Sequence, residues 1–151
     1  MDEKPTKPKG EEIIIKAQVP FEDERGKMDY HILTEPVDWI GTLFTKKGSV
    51  RANHYHPIQE QKLLLISGKC ISVYKDLGEE NAPIKHHLNV AGDLVVTAPN
   101  VAHAVIYVED CVQINLVKGE REPENYGKHT ISYELVKPEE VQKYLDIYKD
   151  Q

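Results

Sequence analysis

A chain of 151 residues with a formal net charge of −6 at pH 7 has no broad positive field, which excludes a nucleic-acid backbone or an anionic membrane surface as its natural partner. Hydrophobic residues make up 40% and charged residues 29%, the balance of one globular unit around one sizeable core. No apolar run approaches the roughly 20 residues of a membrane span, and Met1-Asp2-Glu3-Lys4-Pro5 lacks the apolar centre of a secretory signal, so the expected location is cytoplasmic.

Residues 1–12 carry Lys, Glu and Pro with little apolar content and read as a flexible leader, with a single folded domain over 13–151. From Ile13 to His129, short β-branched runs alternate with turn chemistry such as Lys47-Gly48, Ser67-Gly68, Ala91-Gly92 and Pro99-Asn100. This is how an antiparallel sandwich or barrel is written. Runs of strand length fall at 39–44, 49–55, 60–66, 70–74, 84–89, 94–97, 104–108 and 111–117, with a last strand expected at 130–135. The segment 138–148 predicts a helix: Pro138 stands in its first turn, Glu139 and Glu140 follow, and Val141, Tyr144, Leu145 and Tyr148 form one stripe. That stripe is expected to cap a barrel face or a dimer edge.

Cys70 and Cys111 lie far apart and outside any CxxC pattern, so they read as buried small hydrophobes rather than as a disulfide or a zinc site. Trp39 reads as core. His86 and His87 are neighbours on a strand, face opposite ways and read as surface residues, and the acidic residues at 79–80 and 120–124 read as solvated turns.

The chemistry concentrates in residues 48–68 and 97–103. Side chains in a strand alternate with period two, so His54 and His56 project from one face with Tyr55 on the other, and two imidazoles on one face can share an ion. Pro57 ends that strand and Glu60 opens the next. If the two strands pair antiparallel, the carboxylate returns beside the imidazoles. His103 follows the turn at Pro99-Asn100 at the head of another strand. Three imidazoles and one carboxylate form a mixed nitrogen and oxygen set suited to a divalent first-row ion, manganese, iron, cobalt, nickel or zinc.

A glycine, five residues, His-x-His, three residues and Glu, followed by Gly68, Gly92, Pro99 and His103, resembles both characteristic motifs of the cupin superfamily. The resemblance implies an all-β double-stranded β-helix, or jelly roll, with His54, His56, Glu60 and His103 as metal ligands. The second motif departs from the family pattern: Pro99 to His103 is one residue shorter than usual and lacks the glycine two positions after the proline.

A second likeness runs through 21–26, 50–55, 62–64, 99–104 and 121–126, which resemble the nucleotide-sugar 3,5-epimerases and the related 3,4-ketoisomerases. It implies proton removal next to a keto group, with His54 as base and Lys62 as the cation that steadies the developing oxyanion. Arg51 would contact a phosphate, Arg25 would reach the substrate across a dimer interface, and Asn115 stands where those epimerases place a tyrosine acid. The two readings compete for His54, because an imidazole lone pair spent on a metal cannot also take a proton. The function expected is a metal-binding sugar or sugar-nucleotide isomerase or epimerase acting as a homodimer. An iron-dependent oxygenase and a non-catalytic small-ligand binding protein are the alternatives.

Overall fold

The computed structural model describes residues 6–119, 121, 124 and 126–151; Glu120, Glu122, Pro123 and Asn125 of the expected acidic turn and its neighbourhood, and the first five residues of the expected leader, lie outside them. The strands are β1 (Glu12–Ile15), β2 (Gln18–Asp23), β3 (Gly26–Tyr30), β4 (Trp39–Thr45), β5 (Val50–Tyr55), β6 (Gln61–Ser67), β7 (Lys69–Asp76), β8 (Lys85–Val90), β9 (Leu94–Thr97), β10 (Val101–Tyr107), β11 (Cys111–Val117) and β12 (Ile131–Ser132). A short helix α1 (Tyr126–His129) precedes β12, and a 3-10 turn (Pro138–Glu140) leads into α2 (Val141–Ile147).

Two five-stranded antiparallel sheets face each other, in the orders β1-β9-β6-β11-β4 and β12-β5-β10-β7-β8, while β2 and β3 form a separate hairpin. Strands that follow one another in the chain, such as β5 and β6, sit in opposite sheets, which is the double-stranded β-helix expected from the motifs. Gly68 makes the tight link between β6 and β7. Its φ is +92°, and a Cβ there would stand 2.3 Å from the Asp110 carbonyl oxygen, so no other residue fits.

The second sheet buries its outer face under the carboxy-terminal segment. Ile71, Val73, Ala102, Ala104 and Ile106 pack against Leu135, Val136 and Tyr144, with Val141, Leu145 and Tyr148 half-buried around them, so the predicted stripe covers a sheet face. Each large apolar side chain buried there stabilises the fold by about 1.5–3 kcal/mol. Cys70 and Cys111 are free thiols, both buried.

Four expectations are corrected. Glu12 belongs to the fold, since β1 pairs with β9 and the Glu12 carboxylate, 6% exposed, accepts a hydrogen bond from Thr97 Oγ1 at 2.7 Å and meets His87 Nε2 at 2.9 Å. A carboxylate with two partners tolerates burial. His87 is therefore half-buried and only His86 is exposed, its Nδ1 2.7 Å from the Tyr148 hydroxyl. Trp39 is half-buried rather than core, lying over Gly41 so closely that a Cβ there would be 2.7 Å from its ring. The strand at 130–135 shortens to β12 because the amides that follow are taken by Asn53, as described below.

Candidate active site between the sheets

β5 carries the site and is not a regular strand. Ala52 (φ +70°) and Asn53 (φ +53°) are both left-handed, and the register against β10 runs His54 to His103 and then Ala52 to Ala104, leaving Asn53 as an extra residue. A bulge of this kind reverses the alternation of side chains. Plain period two would put Arg51 on the face opposite His54. The bulge instead places Arg51 opposite Val105, on the inner face with His54 and His103. Asn53 holds the distortion in place: its Oδ1 accepts from the amides of Leu135 (3.0 Å) and Val136 (2.9 Å), its Nδ2 donates to the Val136 carbonyl (3.1 Å), and its own carbonyl accepts from the Tyr133 amide (2.8 Å).

The structure brings His54, His56 and His103 together. Their ring centroids are 4.7, 4.7 and 5.2 Å apart, and one nitrogen from each lies within 4.8 Å of the others. The shortened turn before His103 works because Asn100 adopts φ +62° in place of a glycine and its amide donates to the His56 carbonyl at 2.8 Å. His56 and His103 are each 2% exposed. His56 Nδ1 donates to the His129 carbonyl at 2.9 Å and His103 Nδ1 to the Val101 carbonyl at 3.0 Å, which leaves both Nε2 lone pairs facing the interior. Nε2 of His54 and of His103 are buried without a hydrogen-bond partner, and so is Oδ1 of Asn115.

Burial pushes the His54 imidazole down from 6.5 to about 3, helped by His103, Arg121 and His129; burial, then Arg121, His103 and His54, push His56 down to about 2. Burial lowers His103 as well. All three rings are neutral near pH 7, the state that binds a metal or accepts a proton.

Glu60 and Lys62 do not join this set. β6 pairs with β9 and β11 and not with β5, so the carboxylate does not return beside the imidazoles along a shared ladder. The linker 57–60 sets the phase of β6 so that Gln61 and Leu63 face the cavity, with Gln61 Oε1 3.3 Å from His56 Nε2. Lys62, with no exposed side-chain surface, lies on the other face, its Nζ 3.1 Å from Glu60 Oε1 and 3.5 Å from Glu35 Oε1, while Thr34 Oγ1 donates to the same Glu60 oxygen. This buried ionic group fastens the segment before β4 onto the sheet. Arg25 sits in the β2–β3 hairpin, bound to Asp23 through Nε at 3.0 Å and Nη2 at 2.8 Å, and does not line the cavity.

The cavity itself is about 380 Å³ and is lined by Arg51, His54, Gln61, His103, Asn115 and Arg121, among others. Arg51 is anchored by Nε donating to Thr45 Oγ1 at 2.7 Å, and Arg121 by Nε donating to Gln59 Oε1. No carboxylate lines the cavity among the described residues. A larger cavity, about 620 Å³, lies under the hairpin on the outer face of the first sheet beside His31, Leu64, Ile66 and Leu116, and holds none of the three imidazoles. Sequence reasoning missed Gln61 as a cavity residue and saw Arg121 only within a resembling stretch. The run Leu63-Leu64-Leu65-Ile66 is apolar on both faces, so nothing in it declares which face Gln61 takes.

No protein-family model matches the chain, and no curated protein does. The fold is similar to that of the TDP-quinovose 3,4-ketoisomerase from Campylobacter jejuni (15% identity, 80% of this chain and 91% of that one, TM-score 0.67) and of a 3,4-ketoisomerase from Helicobacter canadensis (17%, 89% and 97%, 0.64). It is also similar to that of the dTDP-4-dehydrorhamnose 3,5-epimerase from Sulfolobus tokodaii (21%, 85% and 79%, 0.63). At these identities the likeness establishes a shared jelly-roll fold.

Proposed function

We propose that this chain is an isomerase or epimerase of a keto-sugar nucleotide, working by proton transfer at a carbon next to the carbonyl. The observation that carries the reading is the lining of the cavity: neutral imidazoles with inward nitrogens, two guanidinium groups and, among the described residues, no carboxylate. Such a lining accepts an anionic substrate and repels none of its charge. The named activities of the similar folds, two 3,4-ketoisomerases and a 3,5-epimerase, point the same way. His54 Nε2 takes the proton, the electron pair moves onto the carbonyl oxygen, where Arg51 or Arg121 takes over the oxyanion role that Lys62, on the far face, cannot fill, and return of the proton from the His54 imidazolium to carbon as the carbonyl re-forms gives the isomer and regenerates the base. Asn115 is placed to hydrogen-bond a sugar oxygen.

The same three rings fit one divalent first-row ion, with the outward Nδ1 groups of His56 and His103 orienting them as outer-shell partners do. A bound ion would be held by His54, His56 and His103, not by Glu60, and would polarise a substrate carbonyl; it would also occupy the His54 lone pair, so it stands as the alternative to proton transfer by His54.

Two measurements test this. A panel of keto-sugar nucleotides is expected to raise Tm, and incubation in deuterated water to place deuterium next to the carbonyl; His54→Ala should lower that exchange at least about 10²-fold with the fold intact. No exchange from any member of the panel sinks the enzyme reading. Metal analysis of protein purified without chelator or nickel resin separates the two roles: about one divalent ion per chain, lost in His103→Ala and retained in Glu60→Gln, would assign the three rings to an ion and take the base role from His54. Full exchange activity in metal-free protein would assign the rings to proton transfer alone.

A further inference from the structure

The cavity of about 620 Å³ takes no part in the chemistry proposed above. Its floor is the outer face of the first sheet, formed by Leu64 and Ile66 of β6 and Leu116 of β11, and the end of the β2–β3 hairpin brings Tyr30 over it. The sheet separates it from the imidazoles, because Leu63 and Asn115, the chain neighbours of Leu64 and Leu116, turn the other way and line the inner cavity. A cavity of roughly 300–1,000 Å³ with mainly aliphatic and aromatic walls has the size and character of a small-molecule site.

Two polar features narrow what the molecule can be. Lys27 and Asp29, the charged residues on the wall, face each other at 3.3 Å and cancel, so the wall offers a charged occupant no counter-ion. His31, also on the wall, is oriented from outside the cavity: its Nε2 lies 2.8 Å from the Gly92 carbonyl and carries the hydrogen that this bond needs. In the neutral ring Nδ1 is then a bare acceptor, and it is buried without a hydrogen-bond partner. A buried acceptor with no donor costs free energy in the empty protein, and an occupant that brings an O–H or N–H removes the cost. The hairpin already covers this wall, which leaves room for a small molecule between hairpin and sheet rather than for another sheet.

We infer that this cavity binds a neutral apolar molecule with one hydrogen-bond donor, of the phenol or cyclic-alcohol class: its hydroxyl donates to His31 Nδ1 and its hydrocarbon body packs on Leu64, Ile66 and Leu116. The site is separate from the imidazole cavity and does not depend on the sugar-nucleotide reading, so either can fail alone.

Thymol, its methyl ether and cuminate share an isopropyl-substituted ring and differ in carrying a donor, no donor and a negative charge, and equilibrium dialysis of the full chain against each tests the assignment. The wild type is expected to bind thymol one to one, about tenfold more tightly than the ether, which lacks the hydrogen bond, and to bind cuminate more weakly still. His31→Phe should bring thymol down to the affinity of the ether and leave the ether unchanged. Ala91→Trp, at an exposed position on the cavity wall, should exclude both at an unchanged Tm, and it keeps the test decisive if His31→Phe fails to fold. His54→Ala should change neither. No thymol binding by the wild type, equal affinity for thymol and its ether, or thymol binding lost in His54→Ala and kept in Ala91→Trp overturns the inference. A dimer that excludes thymol until Ile40→Lys/Phe44→Lys separates its subunits also overturns it, and gives this face to a second copy of the chain.

Discussion

His54 and His56 show how a residue's surroundings set its chemistry. Their rings are stripped of water and lie near each other and near Arg121, so the charged forms are suppressed and the pKa values fall from 6.5 to about 3 and about 2. In the unfolded chain both would titrate near 6.5. The linkage follows: above that pH neither state binds the protons, and stability is fully present; below it the unfolded state takes up protons that the folded state refuses, and stability drains away toward the folded values. For metal-free protein the urea midpoint is expected to hold steady down to about pH 6.5 and then fall continuously to about pH 4, more shallowly in His56→Gln. A midpoint that stays level to pH 4 would contradict the burial of neutral rings. Residue identity also misled here, because Glu60 has the right chemistry and spacing for a ligand and yet pairs with Lys62 and Thr34.

At the level of the element, β5 decides the composition of the site. Two consecutive left-handed residues in a strand are costly when neither is glycine, on the order of 1–2 kcal/mol each, and the cost is met by the four hydrogen bonds through which Asn53 ties down residues 133–136. Asn53→Ala is expected to destabilise the protein by about 2–4 kcal/mol in urea denaturation, removing three side-chain bonds and leaving buried amides unpaired. Ala52→Gly, which relieves the strain without touching a contact, should stabilise by up to about 1 kcal/mol. If Asn53→Ala proves neutral, the bulge has another support. None of this is visible in Arg51-Ala52-Asn53-His54, where strict alternation assigns Arg51 and His54 to different faces.

Over the whole molecule, the two sheets differ in what covers them. α2 and residues 135–136 shield the outer face of the second sheet, whereas the outer face of the first leaves Ile40 66% and Phe44 71% exposed, and the hairpin leaves Phe21 51% and Met28 60% exposed. Side chains of this size in water predict association of two copies, which sedimentation velocity at micromolar concentration should show as a dimer and which Ile40→Lys/Phe44→Lys should dissociate. A wild-type monomer at every concentration would refute it. The amino-acid sequence alone determined the strand runs, the stripe of α2 and the pairing of His54 with His56, because these depend on periodicity and turn chemistry within a few residues. Only the tertiary structure decided that β6 crosses to the opposite sheet, that Gln61 and Arg121 rather than Glu60 and Lys62 meet the imidazoles, and that Arg51 turns inward. Strand phase across a loop or a bulge is set by which ladder each strand joins, and that is a property of distant residues.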